Sequence, residues 1–342
     1  MSEIMERKIM SLGRSSLVIS LPKSWMQLNE LKKGDVVSLA VLRDRSLIVF
    51  PSAEKKIEPK EITLHVASSE GETLIVRRII GCYLNGYSGI RIISDRIFSV
   101  PQRKAIRNIV RMLYMRIIES DSKSMYIQTL IDESKASIKP AIQRMYMIFH
   151  SMCVDALSSL KNLDVTLAKA VFSLDDDVDH FSFFILRLLR DAAQDTVLAN
   201  ELGIDPLDCM DHQVLVYRVE HAADYSADIA RHIIMLSETQ QKISENILSL
   251  MFAAGTEAVD LYAKAVNAFF SKDVAFANEI LERQKKIEKL DQEIASKAFT
   301  GKQKNALLVC AICSIRDDIK RIADCAADIA EIAINRSYKM TT

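Results

Sequence analysis

One segment occurs twice in a long helical stretch. YRVEHAADYSADIARHI begins at Tyr217 and DIKRIADCAADIAEIAI begins at Asp318, so that Asp224 matches Asp324 and Asp228 matches Asp328. Helical periodicity runs almost unbroken from about Ser137 to Asn335, with breaks at Leu163-Asp164, Gly203-Ile204-Asp205-Pro206, Ser271-Lys272-Asp273 and Thr300-Gly301. These breaks predict about six helices, three in each half. A three-helix unit buries only part of its apolar stripe, and duplication supplies the missing partner.

The repeated helix also carries acids in register. Residues i, i+4 and i+8 drift by only about 40° per step, so Glu220, Asp224 and Asp228 share one face. They flank an apolar stripe of Val219, Ala223, Ala230 and Ile233, and Ala222, Ala223, Ala227 and Ala230 allow a neighbouring helix to approach closely. The preceding helix holds LDDDVDHF, with Asp175 and Asp179 again four apart. Two such stripes packed together disfavour ionisation unless a cation intervenes. Oxygen donors suit Mg²⁺ or Mn²⁺, with Fe or Zn open if His180 or His221 joins. The plainer alternative is a solvated helix face.

The chain has 342 residues, enough for two or three domains, and 45 basic residues balance 45 acidic ones. Local clusters, rather than a global field, must therefore choose any charged partner. No apolar run of about 18 residues suggests a membrane span. MSEIMERK lacks the apolar core of a signal peptide, and no membrane insertion is expected. Cys82, Cys153, Cys209, Cys310, Cys313 and Cys325 read as reduced helix-core residues, with zinc or redox use of the single CxxC as the alternative.

Residues 1–52 read as strands SLVISL, VVSLAVL and SLIVF, with one helical turn after Pro22 and turns at Lys33-Gly34-Asp35 and Arg43-Asp44-Arg45. Fifty residues with few large apolar side chains make a poor solitary core, so this part should dimerise. Pro51 to Lys60 suits a linker. Residues 57–133 alternate EITLHV, a helix over Glu72–Leu84, GIRIIS, a helix over Val100–Met115, and SMYIQTLI, which predicts a small βαβαβ domain. The helix face with Arg103, Lys104, Arg107 and Arg111 reads as solvated. We find no phosphate-binding loop and no nucleophile constellation, so an enzyme is not expected.

YRVEHAADYSADIA and LDDDVDHF resemble the acid-x-x-x-Asp helices of the PhoU family of phosphate-uptake regulators. The resemblance covers roughly Ser137 to Asn335, as repeats 137–238 and 241–337 of a domain 137–337. It implies metal ligation by Asp175, Asp179, Glu220, Asp224 and Asp228, and a weaker second site at Glu288, Asp324 and Asp328. There, Lys320 and Gln284 stand where acids are expected. Arg7-Lys8, Leu12-Gly13-Arg14, LVISLPKSW and LKKGD resemble the AbrB/SpoVT/MazE swapped-hairpin DNA-binding domain. Together these imply a multidomain α+β protein: a β-rich swapped-hairpin dimer domain, a small αβ middle domain, and an all-α domain of two three-helix bundles. The domain order is similar to that of archaeal PhoU-type regulators. It implies a cytoplasmic regulator of phosphate uptake that binds DNA through Arg7, Lys8, Arg14 and Lys23. It further implies work alongside a phosphate ABC transporter. The alternative is an adaptor docking on that transporter or a kinase, with the N-terminal domain used only to dimerise.

Overall fold

The computed structural model describes residues 5–42, 45–51, 60–129, 136–239, 242–300 and 305–340. The expected linker and the Arg43-Asp44 turn fall largely outside these residues, as do the repeat boundary at 240–241 and Gly301. The chain divides into two compact units, residues 1–58 and 59–341.

The first unit holds β1 (Met10–Leu12), β2 (Ser16–Val18), α1 (Lys23–Leu28), β3 (Ser38–Val41) and β4 (Leu47–Phe50). β1 and β2 form one antiparallel hairpin and β3 and β4 another. The expected strands are present but shorter, and β1 is an addition: three residues, MSL, carry too little alternation to signal a strand. Gly13 has φ +72°, in the left-handed region where glycine is free of strain, and it turns the first hairpin. No described residue of this unit is buried. Ile9, Leu12, Leu17, Leu28, Val36, Leu39 and Val41 are all exposed.

The second unit begins with β5 (Glu61–Val66), α2 (Glu72–Leu84), β6 (Gly89–Ser94), α3 (Val100–Met112), β7 (Met115–Ser120) and β8 (Ser124–Thr129). The sheet order is β5-β6-β8-β7; β5 and β6 are parallel, and the other two pairings are antiparallel. The expected βαβαβ order therefore needs correction, because the helix read to Met115 ends at Met112 and an extra strand follows. Tyr114, at φ +51°, breaks the helix, and Met115 and Ile117 then alternate onto the sheet. Ser99 starts α3 with a capping box to Gln102. Ile75, Ile79, Tyr83, Ile90, Ile106 and Ile127 fill a core of this sheet's own.

The helical part comprises α4 (Ile138–Asn162), α5 (Val165–Gln194), α6 (Thr196–Leu202), α7 (Pro206–Thr239), α8 (Glu245–Ser271), α9 (Val274–Thr300) and α10 (Ala306–Ser337). The repeat is visible in the turns. Leu163 and Lys272 both adopt left-handed φ. The next residue, Asp164 or Asp273, accepts the backbone N–H three residues on, from Leu167 at 3.0 Å or Phe276 at 2.9 Å. Among the described residues, the first repeat contains one element more, the short α6. Asp195 ends α5 in an extended conformation and caps α6 in the same step, so no Gly or Pro announces the break.

The sheet docks on α5. Arg187, buried, donates to the carbonyls of Tyr83 at 2.7 Å and Tyr87 at 2.9 Å, with its guanidinium 4.7 Å from the Tyr83 ring centre. Arg190 donates to the Leu84 carbonyl at 2.8 Å and to Asn85 Oδ1 at 2.8 Å. Two cations thus sit at the C-terminal end of α2, where unpaired carbonyls and the helix dipole favour positive charge. Among the described residues, no helix is long and apolar enough to cross a membrane.

Candidate metal centre and nucleic-acid surface

The small residues of α7 do what their size allows. Ala222, Ala223, Ala227 and Ala230 are buried, and α7 packs against both α5 and α10. This close packing brings the acids of α5 and α7 to one half-buried cluster. Burial, then Asp224 and Asp176, push Asp175 up to about 6. Burial, then Asp175 and Asp224, push Asp179 up to about 7. Burial, then Asp224 and Asp179, push Glu220 up to about 7. Asp224 is raised as well, mainly by burial, with His221 opposing. Asp228 is paired with Arg231 at 2.5 Å. Asp175, Asp179, Glu220 and Asp224 thus influence one another, and Asp228, a turn further along α7, neighbours Asp175 and Asp224. Four carboxylates raised by burial and by their acidic neighbours are what a divalent cation would relieve. Among the described residues, no group of three or more His, Cys, Asp or Glu side chains is arranged to hold a metal ion.

The histidines separate. His221 lies 3.5 Å from Glu220 and belongs to the cluster. His180 does not: its Nε2 is 3.1 Å from the Arg111 carbonyl, and its ring packs on Tyr114 at 5.3 Å. That side chain serves the contact with the sheet, which sequence spacing could not reveal.

In the second repeat the matching acids already have partners. Gln284 Nε2 donates to Asp324 Oδ1 at 2.8 Å, and Lys320 Nζ donates to Asp324 Oδ2 at 2.7 Å. Glu288 accepts a longer bond from Gln284 at 3.4 Å. Asp328 forms an ion pair with Arg218 at 2.8 Å, too oblique for a hydrogen bond. Burial raises Asp328, and Arg218 opposes the rise. A cavity of about 300 Å³ opens here between Arg218, Tyr225, Lys320, Arg321, Asp324 and Asp328.

Two residues of this region were missed in the sequence. Arg218 comes from the first repeat and completes the second site. Asp318, buried on α10, faces Asp228 of the first repeat; burial and then Asp228 push it up to about 7. The available signal was the repeat itself, since 218 and 318 are equivalent positions.

The helical architecture agrees with the comparisons. The PhoU domain family model matches residues 142–233 and 241–333, the two repeats. The chain belongs to the PhoU family. Two solved PhoU structures share the fold. PhoU from Pseudomonas aeruginosa has a TM-score of 0.52 at 21% identity, covering 58% of this chain and 93% of that one. The phosphate transport system regulatory protein PhoU from Streptococcus pneumoniae has a TM-score of 0.50 at 16% identity, covering 60% and 95%. No curated protein matches the chain in sequence. Ahead of the PhoU repeats, residues 11–58 match the antidote-toxin recognition family MazE, a bacterial antitoxin. In the N-terminal unit, Arg7 and Lys8, which precede the matched residues, and Arg14 and Lys23, which lie within them, are all exposed. Arg14 follows Gly13 in the turn of the first hairpin, and Lys23 opens α1. A turn projects a side chain free of its own strand, the placement a phosphate contact needs.

The cysteines divide. All six are free; Cys153, Cys209 and Cys325 are buried, whereas Cys310 is exposed, against the expectation of a core residue.

Proposed function

We propose that this PhoU-family chain is a non-enzymatic, cytoplasmic, DNA-binding regulator of phosphate uptake, acting as a homodimer and sensing through a divalent cation in its first repeat. The observation that carries the reading is the exposed Arg14 at the tip of a hairpin, in a unit with no buried residue among those described, ahead of a PhoU domain. A unit without a core folds by pairing with a second copy, and pairing displays two Arg14 side chains together. Each can neutralise a phosphate or read a guanine edge. Asp175, Asp179, Glu220, Asp224 and Asp228 would hold the cation, with Mg²⁺ or Mn²⁺ favoured by their oxygen donors. When bound, the ion supplies the positive charge that keeps these carboxylates ionised and in place.

A second reading has one observation in its favour. The exposed apolar residues of the N-terminal unit are explained by dimerisation alone. The chain would then be an adaptor docking on a phosphate ABC transporter component or a kinase. Electrophoretic shift of the full chain on DNA upstream of its own and transporter genes separates the two. The regulator reading expects a shift that weakens with salt, and no shift at low salt contradicts it.

A further inference from the structure

Two glycines near the junction of the sheet with α5 stand in contrasting places. Gly86, at φ +81°, lies so close to α5 that an added Cβ would meet Asp191 Oδ1 at 2.5 Å. Backbone and contact both demand glycine there. Gly81 is the opposite case. It sits inside α2 without a left-handed φ, and an added Cβ would meet nothing within 4 Å. Glycine within a helix is less stable than alanine, so neither backbone nor packing accounts for it.

Gly81 opens instead onto a cleft of about 610 Å³, bounded across the junction by Gln194, the last residue of α5. Lys60 and Arg78 bring two positive charges to it, and among the described residues no acid lines it. Lys60 is pinned through its carbonyl, which accepts from Ser88 at 2.9 Å and Gly89 at 3.2 Å, while its side chain is exposed and unpaired among the described residues. Arg78 is anchored through Nη1 to Glu70 at 2.9 Å and to the His65 carbonyl at 2.9 Å. Its other two nitrogens have no hydrogen-bond partner among the described residues. Buried Leu64 and half-buried Cys82 add apolar wall. Burial pushes the Cys82 thiol up, with Arg78 opposing, so this wall is neutral. A mostly apolar cleft of this size with a few placed polar groups is the usual form of a small-molecule site.

We propose that this cleft binds a small organic anion, with its charged head at Lys60 and Arg78 and its apolar body against Leu64, Gly81 and Cys82. The missing side chain at position 81 is then the space the ligand body fills. Such a ligand touches both α2 and the end of α5. It therefore stiffens the mounting of the sheet that Arg187 and Arg190 begin.

The test uses the dye 1-anilinonaphthalene-8-sulfonate, one sulfonate on an apolar ring system, titrated into the full chain and followed by fluorescence. Exposed apolar residues of the N-terminal unit also take up such dyes, so the reading is the difference between wild type and cleft variants. Gly81→Leu should remove one bound dye per chain. Its thermal midpoint should equal or exceed that of wild type, because leucine is the better helix former and enters open space. Lys60→Gln should weaken that site by about 5-fold at low salt, the size of one exposed ionic contact, and by less at high salt. The uncharged N-phenyl-1-naphthylamine should bind wild type and Gly81→Leu alike. Cys82 gives a second reading that needs no variant. Saturating dye should slow its alkylation by iodoacetamide, followed by peptide mass spectrometry, and leave exposed Cys310 unchanged. Equal dye binding by wild type and Gly81→Leu overturns the proposal. Unprotected Cys82 at saturating dye overturns it whatever the stability of the variants. Wild-type affinity in Lys60→Gln at low salt, or equal protection by the uncharged dye, shows an apolar crevice and overturns the anion site.

Discussion

Lys320 sets its ammonium 2.7 Å from Asp324 in the second repeat, at the position where Glu220 stands beside Asp224 in the first. One substitution within the repeat thus converts mutual repulsion into an internal pair. Half-exposed pairs of this kind stabilise little, roughly 0–1 kcal/mol, so Lys320 matters more for local charge than for folding. Lys320→Glu should leave the fold intact and raise the number of Mn²⁺ ions bound per chain, measured by elemental analysis after gel filtration. Unchanged stoichiometry would mean that Gln284 and Arg218 suffice to close that site.

Stability of the metal-free protein should fall as pH rises. Asp175 is pushed up to about 6, and Asp179, Glu220 and Asp318 to about 7, against about 4 in the unfolded chain. The folded state therefore holds protons that the unfolded state has released. This contribution is fully present below about pH 4 and is lost as pH passes through 6 to 7. A cation acts in the opposite sense, binding better as these groups ionise. In EDTA, the thermal midpoint should drop between pH 5 and 7.5 more in wild type than in Asp179→Asn/Glu220→Gln. Equal drops would show that these carboxyls titrate normally.

Arg14→Ala should weaken DNA binding and make it less salt-dependent. Every phosphate that is no longer neutralised lowers the slope of log affinity against log salt by about 0.9. Fluorescence anisotropy across a salt series on the full chain measures it. Wild-type affinity at every salt concentration would remove the N-terminal unit from DNA recognition.

Removing residues 1–58 should leave a folded, monomeric remainder. The sheet and the bundle have their own buried cores, while no described residue of the N-terminal unit is buried. Light scattering on full and shortened chains checks this. A full-length monomer would contradict the dimer, and a dimeric remainder would move the interface to the helical part.

Arg187→Ala should destabilise the mounting of the sheet on α5. It removes donors to the Tyr83 and Tyr87 carbonyls in a buried setting. The Tyr83 carbonyl keeps the Gly86 N–H at 3.1 Å, so the loss is that of the Arg187 hydrogen bonds, about 1–3 kcal/mol in all. Chemical denaturation should show a loss of that order, or a separate early transition for the sheet. A change below about 0.5 kcal/mol, of the size typical of surface positions, would show the docking to be incidental.

Much of the helical fold was legible because α4, α5, α7, α8, α9 and α10 carry long amphipathic patterns, with Asp164 and Asp273 marking the starts of two of them. α6 was hidden because Asp195 ends one helix and begins the next without a glycine or proline. β7 was hidden because its apolar alternation starts at Met115, directly after helical spacing ends. The acids of the first cluster were legible, since i, i+4 spacing fixes a face. Their partners were not: Arg218 reaches Asp328, and Asp318 faces Asp228, across about a hundred residues. His180 lies beside the acids in sequence, yet its ring belongs to the sheet contact.

The most direct test of the inequivalence of the two repeats is elemental analysis, with anomalous scattering, of Mn²⁺-loaded wild type, Asp224→Ala and Asp324→Ala. Manganese should be present in wild type, lost in Asp224→Ala and retained in Asp324→Ala. Retention in Asp224→Ala with loss in Asp324→Ala would contradict the account, as would wild type that holds no manganese at millimolar concentration.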